Sequence, residues 1–190
     1  MFGDFSLSGK IVVITGGASG IGLAFCKLAL SSNAKVLIAD LKLNPESETL
    51  VQENNNVSFQ KCDVRNWKEL EALPSCSHRE FGDIPDVYVA NAGVGESKFS
   101  SFWNDAEDDK YAALEVNLSH PIKLTRIAIR ALTGQGKKGV VLITSSIAGL
   151  HGHFSTPLYS ASKHGTIGLI KSLALAEREA NVKVVGVCPG

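Results

Sequence analysis

Six short runs of mainly apolar, β-branched residues punctuate the chain at 11–14, 35–39, 57–60, 87–90, 140–144 and 183–187. They lack the polar alternation of a strand with one wet face, and so predict strands covered on both faces, as in a parallel sheet. Between them, segments 21–30, 45–53, 67–75, 111–132 and 159–180 carry helical patterns. Strand and helix alternating over the whole length predict right-handed βαβ crossovers and a doubly wound α/β sheet. No repeat, low-complexity tract or Pro/Gly-rich linker interrupts the alternation, which gives a single domain over residues 1–190.

Composition removes several function classes. The 190 residues carry 19 Lys and Arg against 19 Asp and Glu, so no net field favours nucleic acid or an anionic membrane. Hydrophobic residues make up 44% and charged residues 20%, the balance of a soluble globular protein. The cysteines Cys26, Cys62, Cys76 and Cys188 form no C-x-x-C pair, and read as reduced thiols rather than zinc ligands or disulfides. The start, Met1-Phe2-Gly3-Asp4-Phe5, lacks a basic and apolar leader, and no apolar run is long enough to span a bilayer. The expectation is a cytoplasmic protein that engages neither nucleic acid nor membrane.

The turn after the first strand carries the first chemistry. It reads Thr15-Gly16-Gly17-Ala18-Ser19-Gly20-Ile21-Gly22, closing a strand and opening a helix. Glycines there allow a tight turn and let a pyrophosphate approach the amides of the helix N-terminus, where the dipole favours negative charge. The spacing is G-x-x-x-G-x-G, and Leu23 stands where a phosphate-binding Walker loop needs Lys. A plain structural turn would read the same way. Asp40 ends the second strand, where an acid can accept hydrogen bonds from an adenosine ribose and repel a 2′-phosphate. NAD is therefore favoured over NADP, although Lys42 could swing toward such a phosphate and Asp40 could simply begin a turn.

Tyr159 and Lys163 stand four apart on one predicted helix, and so face the same way. Lowering a phenol from a pKa of about 10 to about 7 takes ~4 kcal/mol. One positive charge at ~4 Å in an effective dielectric of ~20 supplies about that much. The pair can therefore act as a general base or acid near neutrality, though alone it could be ordinary helix surface. Ser146 follows the fifth strand, and its hydroxyl could donate to a substrate oxygen or merely satisfy its own turn. No G-x-S-x-G surrounds it, so a nucleophilic hydrolase is not indicated. Asn117 by itself reads as a helix-interior polar residue bonded to backbone.

Taken together, Thr15-Gly16-x-x-x-Gly20-Ile21-Gly22, Asn91-Ala92-Gly93, Asn117, Ser146, Tyr159-x-x-x-Lys163 and the closing Pro189-Gly190 resemble the short-chain dehydrogenase/reductase pattern in order and spacing. Within that family the chain is most similar to NAD enzymes of fungal and hydroxyprostaglandin-dehydrogenase type. The resemblance covers essentially the whole chain and implies a Rossmann-type sheet with six of the usual seven strands. It implies that Gly16, Ser19, Gly20, Ile21 and Gly22 hold the pyrophosphate, Asp40 the adenosine ribose, and Asp63 and Val64 the adenine. Asn91, Ala92 and Gly93 would run close to the cofactor, with Pro189 and Gly190 also at its site. Tyr159 would exchange the substrate hydroxyl proton, and Lys163 would lower the Tyr159 pKa and bind the nicotinamide ribose. Ser146 would orient substrate and Asn117 would hold a relay water.

Two departures from the pattern qualify those expectations. Ala90 stands where members often have Asn, at the end of a buried strand, where little harm is expected. Members also continue beyond the Pro-Gly pair with a cofactor-contacting Thr, a substrate-covering segment and a seventh strand. The resemblance thus implies a truncated form with an open sixth strand and an unlidded nicotinamide end. Two function classes follow: an oxidoreductase acting on a secondary alcohol or ketone, or a non-catalytic nucleotide-binding or dimer-partner module. The family resemblance further implies a homo-oligomer, dimer or tetramer, built through the helices near Tyr111 and Tyr159. Val94, Glu96, Leu150, His151, His153, Phe154 and Pro157 are candidate pocket residues, and their mixed character suits a moderately hydrophobic substrate.

Overall fold

The β-branched runs form six strands: β1 (Ile11–Thr15), β2 (Lys35–Asp40), β3 (Val57–Lys61), β4 (Val87–Ala90), β5 (Gly139–Thr144) and β6 (Val182–Val187). All pair in parallel, in the order β3-β2-β1-β4-β5-β6. This is the doubly wound order of a Rossmann-type sheet, whose chain direction reverses between β1 and β4 and leaves a crevice at their carboxyl ends. The structure is a computed structural model that describes residues 5–96, 102–103 and 110–190, so residues 1–4 of the leader reading lie outside it. Among the described residues no helix is long and apolar enough to cross a membrane.

Alternate strand residues feed two cores. Val12, Ile14, Val36 and Ile38 pack with Cys26 and Ala29 of α1 (Gly20–Ser31), with α2 (Pro45–Glu53) beside them. Val13, Leu37, Tyr88, Val141 and Val184 pack on the other face with α3 (Trp67–Phe81), α5 (His120–Gly134) and α6 (Pro157–Ser172). Burial on both faces is complete in β1 and β4 but alternates in β5 and β6, where Val140, Leu142 and Val185 are only half-buried. The continuous apolar character of those last two runs therefore overstates their cover.

Three helices depart from their sequence outlines. α3 runs past Pro74 to Phe81, because Leu70, Leu73, Cys76 and Ser77 share one buried face that outweighs the hydrogen bond a proline removes. Gly82, at φ 86°, then ends it with its amide on the His78 carbonyl. The segment expected as one helix over 111–132 contains a short helix α4 (Ala112–Leu114) and a π turn at Glu115–Ser119 before α5. The long helix expected to reach Ala180 stops at Ser172 and resumes as α7 (Ala176–Ala180). That break lets Leu173, Ala176 and Ala180 pack on the core while Leu175 stays exposed.

Backbone contact, more than conformation, explains Gly22. A Cβ there would lie 2.0 Å from the Gly16 carbonyl oxygen and 2.7 Å from Asn91 Nδ2, so only glycine lets α1 dock against the turn that precedes it. Gly22→Ala should lose about 1–3 kcal/mol in denaturant unfolding. Gly168→Ala, on α6 with no atom within 4 Å of the added carbon, should gain about 0.5–1 kcal/mol.

Candidate active site

The carboxyl ends of β1, β2, β3, β4 and β5 open onto one cleft of about 760 Å³. Its wall takes in Gly16, Ser19, Gly20, Ile21, Asp40, Asp63, Val64, Asn91, Ala92, Gly93, Ser146, Tyr159, Pro189 and Gly190. Gly22, Asn117 and Lys163 lie behind that wall, where each supports a neighbour. Gly16 (φ 64°) and Gly20 (φ 51°) occupy left-handed backbone that disfavours a side chain. A Cβ at Gly16 would strike Ala92 Cα at 2.8 Å, whereas one at Gly20 would meet nothing within 4 Å. Gly20 therefore leaves room for a ligand above the first turn of α1, whose Ser19 cap makes no side-chain bond of its own.

Asp40 joins the second strand to this turn. Its Oδ2 accepts from the Ala18 amide at 3.0 Å and its Oδ1 from the Leu41 amide at 2.7 Å. A carboxylate has about four acceptor positions, so two remain for hydroxyls of a ligand. Farther along the cleft, Arg65 chelates Asp63 with Nε at 3.0 Å and a terminal nitrogen at 2.7 Å. This guanidinium holds the Asp63 carboxyl below its ordinary value. Arg65 also lines the cleft. Its place here was not read from sequence, where a lone Arg on a loop carries no signal.

Two side chains hold the reversal point between β1 and β4. Thr15 Oγ1 accepts from the amides of Asn91 at 3.0 Å and Ala92 at 3.2 Å. Asn91 Nδ2 donates to the carbonyls of Thr15 and Gly16, each at 3.1 Å, and its Oδ1 accepts from Thr144 Oγ1 at 3.2 Å. Asn117 sits fully buried in the π turn, donating to the Val94 carbonyl and accepting from the Val94 amide, both at 2.8 Å. Its whole side chain is thus bonded to backbone, as the bare sequence reading had it. A water beside Lys163 would need other atoms of this turn.

Lys163 is buried, 5.6 Å from the centroid of the Tyr159 ring, and donates to the Thr144 carbonyl at 2.8 Å. Burial pushes its ammonium down to about 8. Ser145, which the sequence reading passed over, anchors the helix from below through Thr166 Oγ1 at 2.9 Å and the Lys163 carbonyl at 3.3 Å. Ser146 Oγ accepts from the Ala148 amide at 3.1 Å. That bond uses a lone pair and leaves the hydroxyl proton to donate, so turn and substrate roles are compatible. Glu96 Oε2 accepts from the Tyr159 amide at 3.1 Å, capping a helix whose Thr156 gives no side-chain cap. Of the other pocket candidates, Val94 lines the cleft. Leu150, His151, His153 and Phe154 are exposed outside it, and Pro157 opens α6.

A family model described as short chain dehydrogenase matches residues 10–190. The chain belongs to the short chain dehydrogenase family. It is 35% identical over 190 residues to the short-chain dehydrogenase/reductase prx4 of Penicillium roqueforti, covering 96% of this chain and 54% of the relative. The chain thus spans about half the length of that protein. With short-chain dehydrogenase reductase 3a of Arabidopsis thaliana it shares 34% over 184 residues, covering 96% of this chain and 71% of the relative. The crystal structure of a Burkholderia phymatum short chain dehydrogenase/reductase in complex with NAD superposes with a TM-score of 0.87. Sequence identity there is 29%, over 98% of this chain and 67% of that one. Membership fits the six-stranded Rossmann-type sheet.

Two buried bases tie stability to pH. Burial lowers His120 from 6.5 to about 4, so the ring is neutral in the fold while the unfolded chain protonates below 6.5. The unfolded state then binds more protons, and stability falls as pH drops from 6.5 to about 4, by about 3 kcal/mol in all. The same reasoning for Lys163 makes stability rise between pH 8 and 10.5. Urea unfolding from pH 7 to pH 5 should lose stability in the wild type. A His120→Gln protein should show a flatter dependence over that interval.

Proposed function

We propose that the chain is the nucleotide-binding domain of an NAD-dependent oxidoreductase that interconverts a secondary alcohol and a ketone. The observation that carries this reading is the placement of buried Lys163 beneath the Tyr159 ring, with Ser146 on the same wall as the glycine turn. A dinucleotide fits the residues present. Gly16, Ser19, Gly20 and Ile21 would receive its pyrophosphate, Asp40 its adenosine ribose, and Asp63 and Val64 its adenine. Asn91, Ala92 and Gly93 would floor the cleft, and Pro189 and Gly190 would border the nicotinamide end. Gly22 would act by letting α1 pack close. The free acceptor positions on Asp40 support NAD over NADP, since a 2′-phosphate would meet a carboxylate.

Bound there, NAD supplies a hydride acceptor, or NADH a hydride donor. In alcohol oxidation Tyr159, as general base, takes the hydroxyl proton while Ser146 donates to the same oxygen; in ketone reduction Tyr159 gives a proton to that oxygen and Ser146 still donates to it. Lys163, protonated below a pKa of about 8, would set its charge beside the Tyr159 ring and bind the nicotinamide ribose. Asn117 holds the π turn against Val94 and would keep a relay water beside Lys163 through other atoms of that turn. Val94 on the cleft wall suits a moderately hydrophobic substrate. Free thiols at Cys26, Cys62, Cys76 and Cys188 suit a reducing, cytoplasmic setting, and assembly into dimers or tetramers through α5 and α6 belongs to the same reading.

NADH should raise the thermal midpoint of the purified chain by several degrees near saturation, and NADPH should raise it less. Tyr159→Phe should keep that shift and lose turnover of a secondary alcohol by about 10²–10⁴-fold. Binding without turnover in the parent chain would instead favour a nucleotide-binding partner subunit, and no shift with either nucleotide would end the proposal.

A further inference from the structure

We propose that His120 is a positioning residue for this cleft: as a neutral imidazole protonated on Nδ1, it orients the Thr15 hydroxyl and, through it, the backbone of Asn91 and Ala92. The inference rests on the oxidoreductase reading only for what the cleft binds. His120 opens α5 and has no exposed surface. Its Nδ1 lies 3.0 Å from the Val116 carbonyl oxygen, which can only accept, so Nδ1 carries the proton. Nε2 then offers a lone pair to Thr15 Oγ1 at 3.1 Å, and the Thr15 hydroxyl donates to it. The Val89 carbonyl, at 3.2 Å, is the other acceptor within reach of that proton.

Because Nε2 accepts and does not donate, Thr15 Oγ1 keeps both lone pairs for the amides of Asn91 and Ala92. The opposite tautomer would set an imidazole lone pair against the Val116 carbonyl. It would also offer Thr15 three N–H donors for two lone pairs, a costly arrangement in a dry interior. The imidazole further ties two parts of the site together. Val116 belongs to the π turn that buries Asn117 against Val94, and Thr15 ends β1 where Asn91 grips the glycine turn. Thr144 continues the chain of bonds from Asn91 to Lys163. A histidine serving only as core filling needs none of these bonds.

Long-range nitrogen–proton NMR of the ligand-free chain at pH 7 reads the tautomer directly. A neutral ring with its proton on Nδ1 is expected, and an Nε2–H or charged ring overturns the proposal. NADH titration then compares two variants. His120→Asn keeps a donor near Val116 but cannot reach Thr15, and should weaken NADH binding about tenfold. His120→Gln can place an acceptor at the Nε2 position, and should stay within about twofold of the parent. Thr15→Val should weaken binding similarly and add little on top of His120→Asn. An unchanged NADH dissociation constant in the Asn variant, with stability alone reduced, makes His120 a core filler. Should the parent chain not bind NADH, the oxidoreductase reading fails. The tautomer and the Thr15–His120 coupling in unfolding free energy still decide the role of the imidazole.

Discussion

The end of β1 is clamped to the end of β4 by hydrogen bonds that no strand ladder supplies, and the geometry of the cleft depends on that clamp. A parallel sheet whose crossovers leave in opposite directions from two neighbouring strands has a gap at their carboxyl ends. The backbone there has finished its ladder and must find other partners. Thr15 Oγ1 and the Asn91 amide provide them, fixing four backbone groups within two residues of the turn. Together with the Asp40 carboxylate on the Ala18 amide, they set the height of the glycine turn above the sheet and the aim of the first amides of α1.

Low dielectric amplifies the same arrangement. Lys163, His120 and Asn117 are all buried, and each would destabilise the fold if left unpaired. Each is matched instead to a backbone carbonyl or amide at the end of a strand, in the π turn or in the loop after β4. The polar groups therefore stand at set positions before any ligand arrives. On the oxidoreductase reading that is what a proton-transferring site needs, since no reorganisation is left for the moment of reaction. Burial also lowers the Lys163 ammonium to about 8, so below that pH its charge stands beside the Tyr159 ring.

The outer parts of the site are held differently. The Ser146 turn leans on the chain end through the Ile147 amide and the Pro189 carbonyl, 3.0 Å apart. Glu96 reaches from the loop after β4 to the first turn of α6. These bonds lie near exposed segments such as Leu150 and Phe154, in contrast to the fully buried frame below. Substrate choice on this reading belongs to the softer rim, and hydride and proton chemistry to the frame, the division seen wherever a rigid scaffold carries variable loops.

Strands, their parallel pairing and the order of the elements were legible in the chain, because a buried β-branched run has few other ways to satisfy its backbone. The glycine turn, Asp40, Ser146 and Tyr159 were legible for a related reason: each sits at the end of a strand or in a helix whose register the sequence sets locally. Tertiary structure decided the rest. Pro74 did not end α3, since a long buried face outweighed one missing donor. The π turn at Glu115–Ser119 has no signature in apolar periodicity, as its extra residue is stabilised by bonds to Val94 from another element. Ser145 and His120 acquire their places only when distant segments meet. His120 gains its partner from a residue 105 positions away. Local pattern fixes the strands and the middles of the helices, whereas helix ends, the π turn and the identity of a hydrogen-bonding partner across the sheet are settled only by packing.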